Sequence, residues 1–192
     1  MKKTTVSAFV LTAGLLSAAN YSIDSAHSAA QFKVRHLMVS NVRGDFSKLA
    51  GVLEFDPNNL AKSRVEATID VSTVTTREPD RDKHLKSPDF FDAAKFPQMT
   101  FKSKKFTSAG ANSYHVLGDL TIRGVTKEVT FNVDSVTPET KGMMGETRIG
   151  AQVSGKVNRK DFGVSWNKTL DSGGLAVGDD VEITMDIEAI KK

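Results

Sequence analysis

The sequence predicts an all-β domain of about eight antiparallel strands. Three observations carry that prediction. Apolar and polar residues alternate strictly along most of the chain. One stretch, Thr76–Lys86, breaks the period with a run of charge. The aromatic content is mostly phenylalanine, with 11 Phe against one Trp and two Tyr, and Phe suits dry interior surfaces.

The elements follow in chain order. Met1-Lys2-Lys3 is a basic start, Val6–Leu16 an uncharged apolar run, and Ser17-Ala18-Ala19 offers the small residues a signal peptidase reads. This three-part pattern predicts a signal peptide over residues 1–19, cleaved after Ala19, and hence an exported protein. The apolar run is shorter than the about 20 residues that span a bilayer, so the mature chain, residues 20–192, is expected to have no transmembrane segment. Loss of Lys2 and Lys3 lowers the formal net charge from +3 to +1. No basic run remains to track a phosphate backbone, so no nucleic acid is expected as a partner.

Within the mature chain, Ala30, Phe32, Val34 and His36 form one face of a first long strand, and Leu49, Leu53 and Phe55 one face of a second. In the third, Val65, Ala67, Ile69 and Val71 oppose Arg64, Glu66, Thr68 and Asp70. The charged stretch reads as a short helix pair, with Thr76 as cap, Pro79 in the first turn, and Ser87-Pro88-Asp89 as a second cap leading into Phe90-Phe91. Strands resume with Met99 and Phe101, then Leu120 and Ile122, then Val125, Val129, Phe131 and Val133. Ile149, Ala151, Val153 and Val157 mark the next, and Val181, Ile183, Met185, Ile187 and Ala189 the last. Turn chemistry separates them at Asp56–Asn59, Ala109–Asn112, Gly142–Gly145 and Asp171–Gly174.

Such strands build a sandwich, a barrel with an apolar interior, or an outer-membrane barrel. The last needs aromatic girdles, which Trp166, Tyr21 and Tyr114 do not form, and its outer faces would not mix acids, bases and threonines so densely. The first two remain open on pattern alone.

Zero cysteines exclude disulfides, thiolate metal sites and cysteine nucleophiles. The four histidines, His27, His36, His84 and His115, show no metal-ligand spacing. Asp24 with His27 and Asp80 with His84 are the nearest carboxylate pairings. No nucleophile elbow or phosphate loop is present. The sequence therefore calls for no metal, no cofactor and no catalytic residue. Phe90, Phe91 and Phe96 either plug a filled core or roof an apolar pocket. The charged helix is a solvated face, or it sets Arg81, Lys83 or His84 at a pocket mouth, where a cation meets an anionic head group.

Several segments taken together resemble the YceI-like family. They are Tyr21–Ser28 with Phe32–His36, Gly44-Asp45-Phe46 with Gly51–Asp56, and Arg81–Leu85 with Asp89–Asp92 and Phe96-Pro97. Gly118–Thr126 and Asn158–Gly163 complete the set. Tyr21 stands where the family more often has Trp. The resemblance implies an eight-stranded antiparallel lipocalin-like barrel over residues 20–192, with a short helical insertion between strands 3 and 4. It further implies a periplasmic location and an apolar tunnel for a polyisoprenoid or other fatty amphiphile, often in a homodimer, with no catalytic role. Candidates for the tail site are then Phe32, Leu53, Phe55, Ile69, Phe90, Phe91, Phe101, Leu120, Phe131, Ile149, Trp166 and Ile183, and for the head group Arg81 and His84. Two other functions stay open. One is a filled-core envelope stress or interaction module. The other is an isoprenoid-modifying enzyme using His84 with Asp80 or Asp82.

Overall fold

The computed structural model describes residues 18–171 and 173–192. Most of the expected signal peptide, residues 1–17, lies outside these, as does Ser172 of the last turn. The described strands are β1 (Ala19–Ile23), β2 (Ala29–His36), β3 (Ser40–Phe46), β4 (Leu49–Phe55), β5 (Arg64–Asp70) and β6 (Val74–Thr75). Helix α1 (Pro79–Lys86) follows, then β7 (Gln98–Gly110), β8 (Ser113–Ile122), β9 (Val125–Asp134), β10 (Thr140–Lys141), β11 (Thr147–Asn158) and β12 (Val177–Lys191).

These make an eight-stranded antiparallel barrel, because the early strands are bent halves of longer ones. β1 and β2 both pair with β12, β1 and β2 pair with β4 and β3, and those pair with β5 and β6. The sheet then runs β5, β7, β8, β9 and β11. β11 closes the ring on β12 in unbroken register from Arg148↔Ile190 to Asn158↔Asp180. β10 continues the line of β9 along β11.

Local chemistry produces each bend. Asp24 ends β1 by accepting from Ala26 N and His27 Nδ1, at 3.0 and 2.9 Å. Ser28 then re-anchors the chain to β12, donating to Glu188 O and accepting from Glu188 N. The matching bend after β5 is a 3₁₀ turn, Val71–Thr73, capped by Asp70, which accepts from Ser72 N at 2.9 Å. Asp70 N donates to Lys48 O, so the bends of neighbouring strands are bonded together.

Alternation holds through the barrel. The apolar faces point into the lumen, and the outer faces carry cross-strand ion pairs such as Lys33–Glu182, Lys102–Glu66 and Lys156–Asp180. Lys104 bridges Asp119 and Glu128 in the same way.

The insertion differs from the expected helix pair. Among the described residues there is one α-helix, α1, with Pro79 in its first turn. Its N-cap is Glu78, whose carboxylate accepts from Asp80 N and Arg81 N. Thr76 instead donates from N and Oγ1 to Asp82 Oδ1, at 2.7 and 2.5 Å. Ser87 closes α1 rather than opening a second helix, and residues 87–95 run as turns. Asp92 with φ +51 supplies one reversal there.

One ion network staples the first bend to the closing strands. Arg148 Nη1 bonds Asp24 at 2.6 Å and also Glu188, while its Nε bonds Glu146 at 2.7 Å. Arg148, and next His27, hold the Asp24 carboxyl well below the usual carboxylate range. A depressed pKa stabilises the fold above about pH 4 and stops doing so as pH falls through the depressed value. Asp24→Asn is therefore expected to lower the melting temperature at neutral pH and to flatten its fall below about pH 4. Thermal melts from neutral pH to about pH 2 read both effects, and an unchanged acid limb would refute the assignment.

Candidate functional site: the barrel lumen

The lumen is a cavity of about 420 Å³ lined by residues from most of the strands, α1, and the segment after β11. The twelve tail-site candidates and Arg81 and His84 border it, whereas Lys83 and Phe96 do not. Phe32 comes from β2, Leu53 and Phe55 from β4, Ile69 from β5, Phe101 from β7 and Leu120 from β8. Phe131, Ile149 and Ile183 come from β9, β11 and β12. Phe90, Phe91 and Trp166 come from the segments that cross one end, with Arg81 and His84 of α1 beside them. Phe96 is elsewhere, packed on Gly124 under the Lys95 ammonium.

An eight-stranded barrel is just wide enough for side chains to fill it or for one small ligand, so the placing of the large rings decides which. Three phenylalanine rings close over inward-facing glycines. Phe32 covers Gly44, Phe101 covers Gly118 and Phe131 covers Gly155, each so closely that a Cβ on the glycine would overlap the ring. The rings line the wall instead of crossing the lumen. Phe101 and Phe131 also meet edge to face at 5.2 Å. Buried clusters fill the ends and bends around this space: Phe46, Val71, Val74 and Met99 at the bends, and Tyr21, Ile149 and Ala189 at the end away from α1.

The two ends differ in chemistry. Away from α1, Phe55 stands edge-on to Tyr114 at 5.3 Å, and Val136 completes an apolar floor. Tyr21 sits under it and donates to Glu139 at 2.7 Å. At the α1 end the lining carries Arg35, His36, Arg81, His84 and Arg159, and no Asp or Glu among the described residues. Pattern reading found Arg81 and His84 from the basic helix. It placed His36 on the inner face without giving it a role and missed Arg35 and Arg159, which reach the mouth from distant segments.

Each mouth residue is positioned. His84 packs edge-on against Phe90 and Trp166, at 4.9 Å between ring centres in each case, and those two rings meet each other at 5.2 Å. Its Nε2 bonds Asp89 at 2.9 Å, so its carboxylate partner is neither Asp80 nor Asp82. Asp82 is engaged by Thr76, which also takes Arg81 Nε and Nη2. Trp166 is held in place through Arg159. That guanidinium is 6% exposed and donates to the carbonyls of Val164, Trp166, Val177 and Gly178. Burial pushes its pKa down and Asp179 opposes this, yet arginine stays charged in proteins. Arg123, in the β8–β9 turn, ties the two crossing segments by donating to Pro88 O at 2.7 Å and to Gly163 O.

Another close titratable cluster among the described residues is Asp24, His27 and Glu188, whose ligand atoms lie within 4.8 Å. Spacing hid it because Glu188 is distant in sequence. Both carboxylates are bonded to Arg148, which makes the cluster an ion-pair network.

These features define a class: a closed antiparallel barrel with an apolar chamber and a cationic end. The chain belongs to the YceI-like family, whose domain matches residues 21–189. A UPF0312 protein of Staphylococcus aureus strain N315 is 38% identical over 169 residues, which cover 88% of this chain and 96% of that one. The crystal structure of Burkholderia cenocepacia BcnA superposes with a TM-score of 0.76 at 27% identity, covering 86% of this chain and 98% of its own. A polyisoprenoid-binding domain from Saccharophagus degradans shares the fold, with a TM-score of 0.64 at 15% identity, over 90% of this chain and 98% of that one.

The wall glycines yield a test. Gly118→Ala sets a methyl against the Phe101 ring and the Lys102 carbonyl, and is expected to cost about 1–3 kcal/mol as the two are forced apart. Gly150→Ala meets nothing closer than 3.5 Å and should stay within about 0.5 kcal/mol of the parent. Denaturant unfolding of both variants checks the contrast, and equal stabilities would refute the role given to Gly118.

Proposed function

We propose that the protein is a periplasmic carrier that holds one long-chain amphiphile, a polyisoprenoid or a fatty chain, in the lumen, with its head at the α1 end. The observation that carries this reading is the polarity gradient of the cavity: aliphatic and aromatic walls, and arginines and histidines without a lining carboxylate at one end. A volume near 420 Å³ falls within the about 300–1,000 Å³ usual for small-molecule sites. Burying an apolar chain there gains about 25 cal/mol per Å². Such a chain offers few hydrogen bonds, and the deep walls ask for none. An anionic head would meet charge-assisted donors at the mouth. The Saccharophagus degradans neighbour is described as polyisoprenoid-binding, and a chain of that kind suits these walls.

Export is supported by the basic, apolar and small-residue order of residues 1–19 and by a family match that starts only at Tyr21. Cleavage after Ala19 would trim one residue from β1 and keep the Asn20↔Glu54 and Tyr21↔Leu53 pairs. Binding is favoured over catalysis because the His84 ring is packed edge-on against Phe90 and Trp166 and its Nε2 is bonded to an exposed aspartate.

Native mass spectrometry and organic extraction of the purified protein test the carrier reading. A stoichiometric long-chain amphiphile is expected, and adding it to stripped protein should raise the melting temperature. Protein that is always empty and takes up neither polyprenyl phosphate nor fatty amide would overturn it. The paired substitution Arg81→Ala and His84→Ala is expected to weaken polyprenyl phosphate binding by about tenfold or more and to leave the neutral fatty amide unaffected. Equal losses for both ligands would remove the head-group assignment.

A further inference from the structure

We propose that the tip of the β2–β3 hairpin, Leu37-Met38-Val39 with Leu175 beside it, docks the cationic end of the barrel onto a bilayer surface that carries anionic lipids. The proposal rests on the carrier reading, because a carrier of lipid must meet the membrane that supplies or receives it.

The turn itself is the first observation. His36 and Ser40 are paired, and Val39 N donates to His36 O at 3.1 Å. Leu37 and Met38, between them, have φ of +49 and +60. Two consecutive left-handed residues define the tight hairpin turn that favours Asn-Gly or Asp-Gly, since small residues adopt positive φ at low cost. Here both positions hold large apolar side chains. They are also in water, as is the next residue: Leu37 is 38% exposed, Met38 58% and Val39 76%. Backbone geometry and hydration both ask for small polar residues, and the sequence refuses both. A local rule broken twice at one place marks a site with a use.

The second observation is that the tip is held rigid and belongs to the mouth. Leu37 N donates to Ala176 O at 2.8 Å, and Arg35 Nη2 donates to Met38 O at 2.7 Å. Met38 and Leu170 both lie over Gly174, which leads into the exposed Leu175. Arg35 and His36, immediately before the tip, line the lumen. The apolar knob therefore stands one residue beyond the cavity mouth.

Charge supports a membrane as the occupant. Arg35 and Lys168 are exposed in the two segments bonded to the tip, with Asp171 as the acid nearest in sequence to Lys168. Apolar side chains flanked by cations suit the boundary between head groups and acyl chains. A second protein copy fits less well. The knob is convex and made of a few side chains, well short of the about 800 Å² per partner that a stable interface buries.

The test is flotation of the purified protein with vesicles of phosphatidylethanolamine and phosphatidylglycerol. The parent should float, and the variant Leu37→Asn/Met38→Gly should partition about tenfold or more weakly. The same variant should match or exceed the parent in melting temperature, because it relaxes the turn, so loss of binding is not loss of fold. Uptake of a fluorescent long-chain amphiphile from solution is measured in parallel. Unchanged uptake with lost flotation supports the proposal. Tip-dependent flotation in a protein that takes up no amphiphile also supports docking while overturning the carrier reading. Equal flotation of parent and variant, absence of parent flotation, or a dimer on sedimentation that the variant dissociates would overturn the proposal.

Discussion

The structure depends on one backbone ladder, the register of β11 against β12 that closes the ring from Arg148↔Ile190 to Asn158↔Asp180. In an open sheet, β11 and β12 would be edges, with unpaired N–H and C=O groups and no enclosed space. Closure supplies the lumen. It also supplies order that this chain has few other means to obtain, since it has no cysteine to cross-link it and part of its apolar interior is not filled by its own side chains. Wall atoms that face a void lack contact partners on that side. The ladder, the packed ends and the bends therefore hold a wall that side chains alone do not brace. The Arg148 network strengthens closure where the first bend could loosen it, by joining Asp24, Glu146 on β11's flank and Glu188 of β12.

A closed ring of eight strands creates a second requirement, because large inward side chains would meet across its centre. The glycine–phenylalanine pairs meet this requirement. Gly44, Gly118 and Gly155 each remove a side chain where a neighbouring ring takes the space. The apolar character that folds the barrel is kept, and the volume is left open. At the α1 end Phe90, Trp166 and His84 meet and border the same space. The same phenylalanines thus serve as core for the strands and as surface for the cavity.

Much of this was legible from residue order. Alternation gave the inner faces of the strands correctly, including Ile69 in β5 and Ile183 in β12, because strand parity is a local property. The basic helix and the Phe90-Phe91 pair pointed to one end of the barrel for the same reason. What stayed hidden was non-local. Arg159 and Arg35 come to the mouth through register and through a loop held by four carbonyls, which no spacing rule encodes. Glu188 meets Asp24 across the whole length of the chain. The helix cap is Glu78 and not the expected Thr76, because either residue can accept from a first-turn N–H and the demand of Asp82 on Thr76 decides between them. One signal was available and is general: Gly44, Gly118 and Gly155 fall on the inner parity of their strands, where a glycine has a packing purpose or is a defect.

The polarity of the lumen also fixes a direction. A chain with a charged head would leave that head at the α1 end, since the opposite floor, at Phe55, Tyr114 and Ile149, offers little to a charge. Charge moved through the apolar middle would lose its hydration without gaining a partner. A charged amphiphile would therefore enter tail first and leave head first through one mouth, and the residues around that mouth would have to handle both transfer and retention. The Leu37–Val39 tip and the Arg35 side chain that bonds its carbonyl lie at this end and not at the floor. A barrel with a single chemically competent mouth gains from an apolar foot there, because contact with a bilayer would bring mouth and cargo source together without the head group ever crossing the lumen.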